Sequence, residues 1–407
     1  MPSPAAPDPS WGLSTVAIHT GHSVDPRSGA LANPLHMSTT YAFATAEAAA
    51  HAFEVATPGE GQSMPDGQFV YTRWGNPTQA ALEAVVAALE GAEAAVATAS
   101  GMAAISGALL MALKPGDHVV APKSVYSATH TQLTYWLPRY GIDVTQVDAT
   151  DTDAVAAALR PNTRLLYLES PDNPTLRVTD LRACADIGHA HGALVMADNT
   201  FATSYNQRPL ELGVDVVLHS MTKYLCGHGD AMGGAIVGRA DWVRECRRGV
   251  LRDFGGVISP FNAWLIRRGV ETFPLRMAHH NANALTIARA LESHPAVAWV
   301  SYPGLPSHPQ HALARRQMPG GFGAMLSFEL KGGLAAGARM LSRVQLCAQA
   351  VSLGDTKTLV THAPSTTHTT VPAEARHAAG ITDGLVRMSI GLEDPADILA
   401  DLDQALH

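Results

Sequence analysis

The stretch Asp215-Val216-Val217-Leu218-His219-Ser220-Met221-Thr222-Lys223-Tyr224 decides the fold prediction. Its first half is apolar and β-branched, which predicts a short buried strand. Its second half places two hydroxyl residues and a lysine where that strand ends. A second apolar run upstream, Ala193 to Ala197, ends in Asp198-Asn199-Thr200. An acid therefore follows one predicted strand, and a lysine with hydroxyl neighbours follows the next.

An acid and a lysine at neighbouring strand ends suit a site for pyridoxal 5'-phosphate (PLP). In such a site the lysine amine carries the cofactor covalently, and a carboxylate pairs with the pyridine nitrogen so that the ring accepts electrons from the substrate. Ser220 and Thr222 offer hydroxyl groups to the phosphate. Asp198 also has a structural interpretation, because Asp-Asn-Thr suits a turn or a helix start. Together with Lys223 it predicts a PLP-dependent enzyme.

The composition indicates a large globular protein. The chain has 407 residues, 46% hydrophobic and 16% charged, and this length predicts two domains. A net charge of -8 argues against nucleic acid or an anionic membrane as the main partner. The start of the chain lacks the pattern of a signal peptide, and the cysteines lack the spacing of a disulfide framework or zinc site, so a cytoplasmic location is expected. The four cysteines are Cys184, Cys226, Cys246 and Cys347.

Strand and helix patterns alternate through the middle of the chain. We predict an extended, irregular N-terminal arm over residues 1–65, a large PLP-binding domain over 66–260 and a C-terminal α+β domain over 261–407. Alternating β and α segments predict a mostly parallel sheet covered on both faces, with the ligand at the carboxyl ends of the strands. The predicted strands of this α/β domain are 94–99, 118–121, 143–147, 164–168, 193–197 and 214–218.

The C-terminal third predicts a small antiparallel sheet with helices. A long helical stretch over 260–293 contains Pro274, where a bend is expected. The other predicted helices are 334–344 and 395–406, and the predicted strands are 297–301, 323–330, 348–352 and 385–390.

Residues 94–113 carry no charge and are long enough to cross a membrane. Small residues dominate the segment and Ser100-Gly101 interrupts it, so we expect a strand, a tight turn and a helix instead. Backbone amides at the start of that helix suit a phosphate. The chain lacks the GxxxxGK[ST] pattern and an early GxGxxG, which argues against a kinase or a nicotinamide-dependent dehydrogenase.

Further side chains suit a cofactor or a substrate carboxylate. Tyr71 and Arg73 stand just ahead of a predicted helix, and a guanidinium group binds phosphate through two hydrogen bonds. Tyr126 follows a predicted strand, where its ring either stacks on the cofactor or is buried structurally. Arg387, in the predicted strand 385–390, either holds a substrate carboxylate or faces solvent. The histidines have no matching acid or cysteine spacing, so no metal centre is predicted.

An ordered series of motifs resembles the Cys/Met-metabolism PLP-dependent enzymes, from about Gly29 to the end of the chain. The resemblance implies fold type I of the PLP-dependent transferases. It also implies a homotetramer built from two tight dimers, with active sites shared across each dimer. The matching motifs are Tyr71-Thr72-Arg73, Asn76-Pro77-Thr78, Ser100-Gly101-Met102, Glu169-Ser170-Pro171-Asp172-Asn173-Pro174, Asp198-Asn199-Thr200, Ser220-Met221-Thr222-Lys223-Tyr224, Val351-Ser352-Leu353-Gly354-Asp355 and Gly384-Leu385-Val386-Arg387.

The resemblance implies a role for each matched residue. Lys223 carries PLP, Asp198 is the partner of the pyridine nitrogen, and Tyr126 stacks on the ring and donates a proton to the departing sulfur. Asn173 contacts the 3-oxygen side of the ring, and Ser352 and Arg387 hold the substrate carboxylate. The phosphate is bound by Tyr71 and Arg73 of the neighbouring subunit and, within the same subunit, by Ser100, Gly101, Met102, Ser220 and Thr222.

Within the family, the resemblance implies γ-elimination of L-methionine to methanethiol, 2-oxobutanoate and ammonia. Val351 is apolar where members that act on cystathionine often carry an acid, and an apolar lining suits a methylthio group. Ala128 stands where a cysteine is usual in methionine γ-lyases, and Arg252 precedes Asp253 where a lysine is usual. The alternatives are a cystathionine γ-lyase, a cystathionine γ-synthase or an O-acylhomoserine sulfhydrylase.

Overall fold

The computed structural model describes residues 8, 10–22, 24–25, 28–55, 68–366, 369, 373–378 and 380–407. Within them, the strands form one seven-stranded sheet and one five-stranded sheet. The strands are β1 Ala94–Thr98, β2 His118–Pro122, β3 Asp143–Val147, β4 Thr163–Glu169, β5 Leu194–Asp198, β6 Val216–His219, β7 Gly234–Gly238, β8 Val297–Ser301, β9 Met325–Leu330, β10 Ala348–Gln349, β11 Leu359–His362 and β12 Leu385–Ser389.

The helices lie between these strands and in the N-terminal region. They are α1 Leu13–His19, α2 Ala46–Val55, α3 Pro77–Glu90, α4 Gly101–Ala112, α5 Ser127–Thr131, α6 Leu137–Arg139, α7 Thr152–Ala157, α8 Leu181–Ala190, α9 Thr203–Asn206, α10 Ala240–Cys246, α11 Arg252–Phe254, α12 Pro260–Val270, α13 Phe273–Glu292, α14 His311–Gln317, α15 Gly333–Arg343, α16 Ala373–Ala378 and α17 Pro395–Leu406. Short π-helical segments, Gln132–Trp136 and Arg247–Leu251, and 3₁₀ turns, Pro209–Leu212 and Ala363–Ser365, complete the helical structure described.

The seven-stranded sheet confirms the predicted mostly parallel α/β fold. Its order is β1-β7-β6-β5-β4-β2-β3, and the strands from β6 to β3 run parallel to one another. Strand β7 was not predicted, because its apolar core is only three residues long and a glycine stands at each end. It runs antiparallel to both β1 and β6 and so joins β1 to the parallel strands.

Both faces of this sheet are buried, as parallel strands require. Alternate residues of one strand belong to different core clusters: Met196 packs with Leu218 on one face, and Ala197 packs with Val217 on the other. Helix α4 covers the first face and helix α3 the second. The alternation decides which side chains at the strand ends can meet.

The segment after β1 turns sharply into a helix, as predicted. The Ser100 side chain accepts a hydrogen bond from the backbone amide of Ala103 and so caps α4. Among the described residues, no helix is both long enough and apolar enough to cross a membrane.

The N-terminal region differs from the prediction of an irregular arm, since it contains α1 and α2. Helix α1 is fixed by Arg267, whose guanidinium donates to the carbonyls of Ile18 and Thr20 at 2.9 and 3.0 Å. Helix α2 was missed because its run of alanines has little apolar periodicity. Residues 56–65 of the predicted arm lie outside the described residues, and the boundary at 65 stays a prediction.

The five-stranded sheet has the order β10-β11-β12-β9-β8. Its pairs are antiparallel except for β10 and β11, so the prediction of a purely antiparallel sheet was wrong in that pair. The predicted single helix over 260–293 is two helices, α12 and α13, which separate at Glu271-Thr272. Pro274 lies in the first turn of α13, where a missing amide donor costs nothing, rather than at a bend. The predicted strand 348–352 ends at Gln349.

Candidate active site

The carboxyl edge of the seven-stranded sheet brings the predicted acid and lysine segments together. Asp198 is the last residue of β5 and pairs in register with Leu218 of β6. Lys223 lies in the turn that follows β6, and its backbone amide donates to the carbonyl of Ser220 at 3.2 Å. The parallel arrangement therefore places both groups at one edge of the sheet, where ligands bind in open α/β folds.

The N-terminus of α4 faces the same turn. A Cβ atom at Gly101 would lie 2.7 Å from Cβ of Ser220, so only glycine allows this approach. Free amides at the start of α4 beside the Ser220 side chain suit an anion. The Thr222 hydroxyl instead donates to the Gly233 carbonyl at 3.2 Å and accepts from the Gly233 amide at 3.1 Å. We call the α4 N-terminus with Ser220 and Thr222 the cradle. Met102 is the second residue of α4 and shares this end.

Lys223 contacts the C-terminal part of the chain. Its Nζ atom lies 2.5 Å from Oγ of Ser352. Burial, with the positive charge of Arg387 as the second cause, lowers the pKa of the Lys223 amine to about 8. An amine with this pKa gives up its proton far more readily than an ordinary lysine, and a proton acceptor needs that property.

Ser352 has an unusual backbone conformation, in which its hydroxyl contacts Lys223 and its carbonyl contacts Arg387. Its φ of 87° lies in the left-handed region, which is costly for a residue other than glycine. The next turn has Gly354, whose Cβ would lie 2.6 Å from the backbone nitrogen of Tyr224. The loop is thus pressed against the lysine segment. This conformation explains why the strand predicted over 348–352 stops before Ser352.

Arg387, on β12, connects the loop to a third part of the chain. Its guanidinium donates to the carbonyl of Ser352 at 3.1 Å and to Oδ1 of Asn173 at 3.0 Å. Burial lowers the pKa of the Arg387 side chain from its ordinary value. Arg387 is partly buried, and a cation there whose partners are neutral oxygens favours an anionic ligand, because a carboxylate would supply the missing charge. These contacts favour a carboxylate-binding role for Arg387 over a solvent-facing one.

Asp198 is buried and accepts a hydrogen bond from the backbone amide of Thr200 at 2.9 Å. Burial raises the pKa of the Asp198 carboxyl. Within the described part of the chain, lysine and arginine side chains are absent from its ion-pair shell. A protonated pyridine nitrogen beside it would supply the compensating positive charge. A buried carboxyl without a lysine or arginine partner therefore fits the pyridine ring of PLP.

Tyr126 lies at the start of α5, and its side chain is 44% exposed, so the alternative of a buried structural tyrosine is wrong. Its backbone amide donates to Oε2 of Glu169 at 3.0 Å. Glu169 ends β4 and pairs in register with Asp198, so it belongs to this site although sequence reasoning gave it no role. Its position in the motif Glu169-Ser170-Pro171, directly after an apolar run, was the available signal. Ala128 lies two residues along α5 from Tyr126.

For four other predicted residues, a contact with Lys223 is absent from the described structure. Arg73 contacts Tyr71, whose ring lies 5.6 Å from the guanidinium carbon, and donates to the backbone carbonyl of Arg252. The Arg252 side chain pairs with Asp253 at 2.8 Å. Val351 is 64% exposed. The contacts of the described residues do not connect Tyr71 or Arg73 with the cradle of their own chain.

One group of metal-ligand types lies far from this site in sequence. His294, Asp403 and His407 have ligand atoms within 4.8 Å of one another. Nδ1 of His294 accepts the backbone amide of Ala296, so the proton of the neutral ring sits on Nε2, which faces Asp403 at 3.6 Å. A nitrogen that carries a proton does not bind a metal, so this group does not indicate a metal site.

Comparison with known proteins identifies the class to which this fold and site belong. Residues 14–407 match the model of the Cys/Met metabolism PLP-dependent enzymes. The chain belongs to that family, and its cofactor is PLP.

Particular relatives cover nearly the whole chain. It is 48% identical to the L-methionine γ-lyase of Porphyromonas gingivalis over 399 residues, 97% of each protein. It is 44% identical to the O-succinylhomoserine sulfhydrylase of Pseudomonas aeruginosa, across 97% of this chain and 95% of that protein. The crystal structure of cystathionine γ-lyase from Lactobacillus plantarum, complexed with L-serine, aligns with a TM-score of 0.88 and 39% identity, covering 97% of this chain and 98% of that one. The predicted family and fold type are confirmed.

Proposed function

We propose that the protein catalyses γ-elimination of L-methionine to methanethiol, 2-oxobutanoate and ammonia. The observation that carries the proposal is the cluster of Lys223, Ser352 and Arg387, in which a base and a carboxylate-binding group lie side by side. Similarity to the L-methionine γ-lyases supports methionine as the substrate. Val351, which directly precedes Ser352 in the sequence, is apolar and offers nothing to a second ammonium group, which agrees with a methylthio end.

The substrate carboxylate binds to the Arg387 guanidinium and the Ser352 hydroxyl. The guanidinium is already oriented by Asn173 and by the Ser352 carbonyl, so little freedom is lost on binding. This contact places the α-carbon of the substrate near Nζ of Lys223.

Lys223 then acts as the base. PLP bound here supplies an electron-accepting ring, and Asp198 stabilises the charge on its pyridine nitrogen. The free Lys223 amine takes the proton from the α-carbon and afterwards assists the proton shift at the β-carbon. The Tyr126 hydroxyl, exposed at the mouth of the site, donates a proton to the departing sulfur.

The phosphate is held by the α4 N-terminus, Ser220 and Thr222, while Tyr71 and Arg73 reach the cradle of a neighbouring subunit. Within the described residues this pair has no contact with its own Lys223, which supports a shared site. A homotetramer of two tight dimers provides such sharing. We also propose a cytoplasmic location, and a division into the three predicted segments 1–65, 66–260 and 261–407.

A γ-replacement transferase is the second candidate, supported by the 44% identity to an O-succinylhomoserine sulfhydrylase. The two activities are separated by incubating the protein with PLP and L-methionine alone and measuring 2-oxobutanoate and methanethiol. The lyase releases both in equal amounts, and a Lys223→Ala control releases neither. Product formation only from an O-acylhomoserine together with a thiol would replace the lyase by the transferase.

A further inference from the structure

A buried glutamate and histidine lie behind the proposed cofactor site and have no part in the mechanism above. Oε1 of Glu90, the last residue of α3, lies 2.5 Å from Nε2 of His219, the last residue of β6. Both side chains are at most 2% exposed. The same Glu90 oxygen accepts a hydrogen bond from Nδ2 of Asn199 at 3.1 Å. Two donors therefore converge on one carboxylate that water does not reach.

The Glu90 carboxylate requires a positive charge, since an isolated buried carboxylate is strongly unfavourable. Among the described residues, His219 is the basic side chain within ion-pair distance of Glu90. Oε2 of Glu90 has no hydrogen-bond partner within the described structure. The His219 imidazole is therefore the group that can supply this charge, since an imidazole with both nitrogens protonated is a cation.

The pair is adjacent to Asp198 through the sheet. Asp198 pairs with Leu218, and the two residues that follow this pair, Asn199 and His219, both point their side chains to Glu90. Side chains along a strand point alternately to the two faces of the sheet. Asp198 is two residues from Met196 and so belongs to the face covered by α4, whereas His219 is two residues from Val217 and belongs to the face covered by α3. Asp198 and His219 thus lie on opposite faces of one sheet edge and interact through space at low dielectric.

His219 is one of the groups that act on the charge of Asp198. Burial raises the pKa of the Asp198 carboxyl, whereas hydrogen bonds from the Thr200 hydroxyl and amide, and after them the positive charge of His219, act in the opposite direction. The other ionisable groups beside Asp198 are Glu169, its register partner on β4, and the buried phenol of Tyr167. Neither of these supplies a positive charge.

We propose that Glu90, acting through His219, is a positioning residue that keeps Asp198 ionised against the pyridine nitrogen. From the cofactor outward, the charges then alternate: positive on the pyridine nitrogen, negative on Asp198, positive on His219 and negative on Glu90. The inference rests on the role proposed above for Asp198.

The test compares two glutamates of one helix. Glu90→Gln removes the charge and keeps the shape. Glu83→Gln is the matched control, because Glu83 is also a buried residue of α3 but pairs with Arg247 at 2.6 Å and with the backbone amide of Ala97 at 2.8 Å. Each variant is loaded with PLP labelled with ¹⁵N at the ring nitrogen.

Two quantities are measured: the ¹⁵N chemical shift, which reports whether the ring nitrogen carries a proton, and the Kd for PLP. We expect Glu90→Gln to move the shift toward the unprotonated value and to raise the Kd about tenfold, as a one-unit change in the pKa of an interacting group would. Glu83→Gln should leave both unchanged even if its thermal stability falls. Equal behaviour of the two variants would overturn the inference. Should Glu90→Gln fail to fold, His219→Gln must give the same change.

Asp198→Asn separates this inference from the proposed function. If Glu90 acts through Asp198, Glu90→Gln has no further effect on the ¹⁵N shift in the Asp198→Asn background, whereas additive effects would refute that path. A normal shift in Asp198→Asn alone would instead refute the role of Asp198. A changed shift in Asp198→Asn, with Glu90→Gln like its control, would remove only the inference about Glu90.

Discussion

The edge of the seven-stranded sheet and the loop around Ser352 supply the two halves of the site by different means. At the sheet edge, Asp198 and the Lys223 turn each follow a strand, so their position comes from local sequence and strand pairing. Ser352 reaches Lys223 across 129 positions, and Arg387 reaches Asn173 across 214. The first half is a consequence of parallel strands, and the second depends on how the two sheets pack. Substitutions in the two halves should therefore fail differently.

The largest effect is expected at the sheet edge. Lys223→Ala removes both the covalent anchor of the cofactor and the base, so kcat for methionine elimination should fall by at least about a thousandfold. Released 2-oxobutanoate measures the loss, and mass spectrometry after borohydride reduction checks the anchor. Borohydride labelling of any other lysine in the native protein would contradict the assignment.

A substitution in the second half should act on substrate binding instead. Arg387→Ala removes the partner of the substrate carboxylate, and we expect KM for methionine to rise about a hundredfold with the Kd for PLP unchanged. Arg387→Lys keeps the charge without the planar fork and should recover part of the loss. If Arg387→Ala lost PLP and kept its KM, the guanidinium would belong to the cofactor half of the site.

The comparison also explains how much of the site was predictable. Asp198, Lys223 and the Ser100-Gly101 turn were found from sequence because a strand followed by polar residues marks the binding edge of an α/β sheet. Ser352 was predicted to lie in a strand, since the sequence around it does not indicate the φ of 87° that Ser352 adopts. That conformation is imposed by contact with the Lys223-Tyr224 backbone, which is distant in sequence. The role of Ser352 came only from family resemblance.

The same distinction holds for the elements that were missed. The sequence signal for strand β7 is weak because glycines bound a short apolar run, and that for helix α2 is weak because alanines dominate it. Tertiary packing therefore decides the structure of both elements. Glu90 and Glu169 were missed for a related reason. A glutamate at the end of a helix or strand is ordinarily solvated, and only the assembled sheet edge shows that these two are buried.

A smaller effect should follow from narrowing the phosphate cradle. In Gly101→Ala the new methyl group would meet Ser220, forcing the α4 N-terminus away from the turn, and we expect the Kd for PLP to rise about tenfold. Gly249→Ala is the control, because nothing lies within 4 Å of a Cβ atom at that helical position. Titration of the cofactor-free protein with PLP measures both. Equal affinities would show that the cradle does not hold the phosphate.

The smallest expected effect joins the two halves through the Lys223 amine. Its pKa is about 8 in the folded protein, against an ordinary value of 10.5, so the unfolded chain binds more protons between these values. The free energy of unfolding of the cofactor-free protein should therefore rise as the pH increases from about 8 toward 10.5, by at most about 1.4 kcal/mol per pH unit. Denaturant titrations at several pH values measure the slope, and Lys223→Met should lack this contribution. Arg387→Ala should retain most of it, because burial at the sheet edge is the larger cause of the shift and the Arg387 charge the smaller one. If Arg387→Ala abolished the pH dependence due to Lys223, the Arg387 charge rather than burial would be the main cause of the lowered Lys223 pKa.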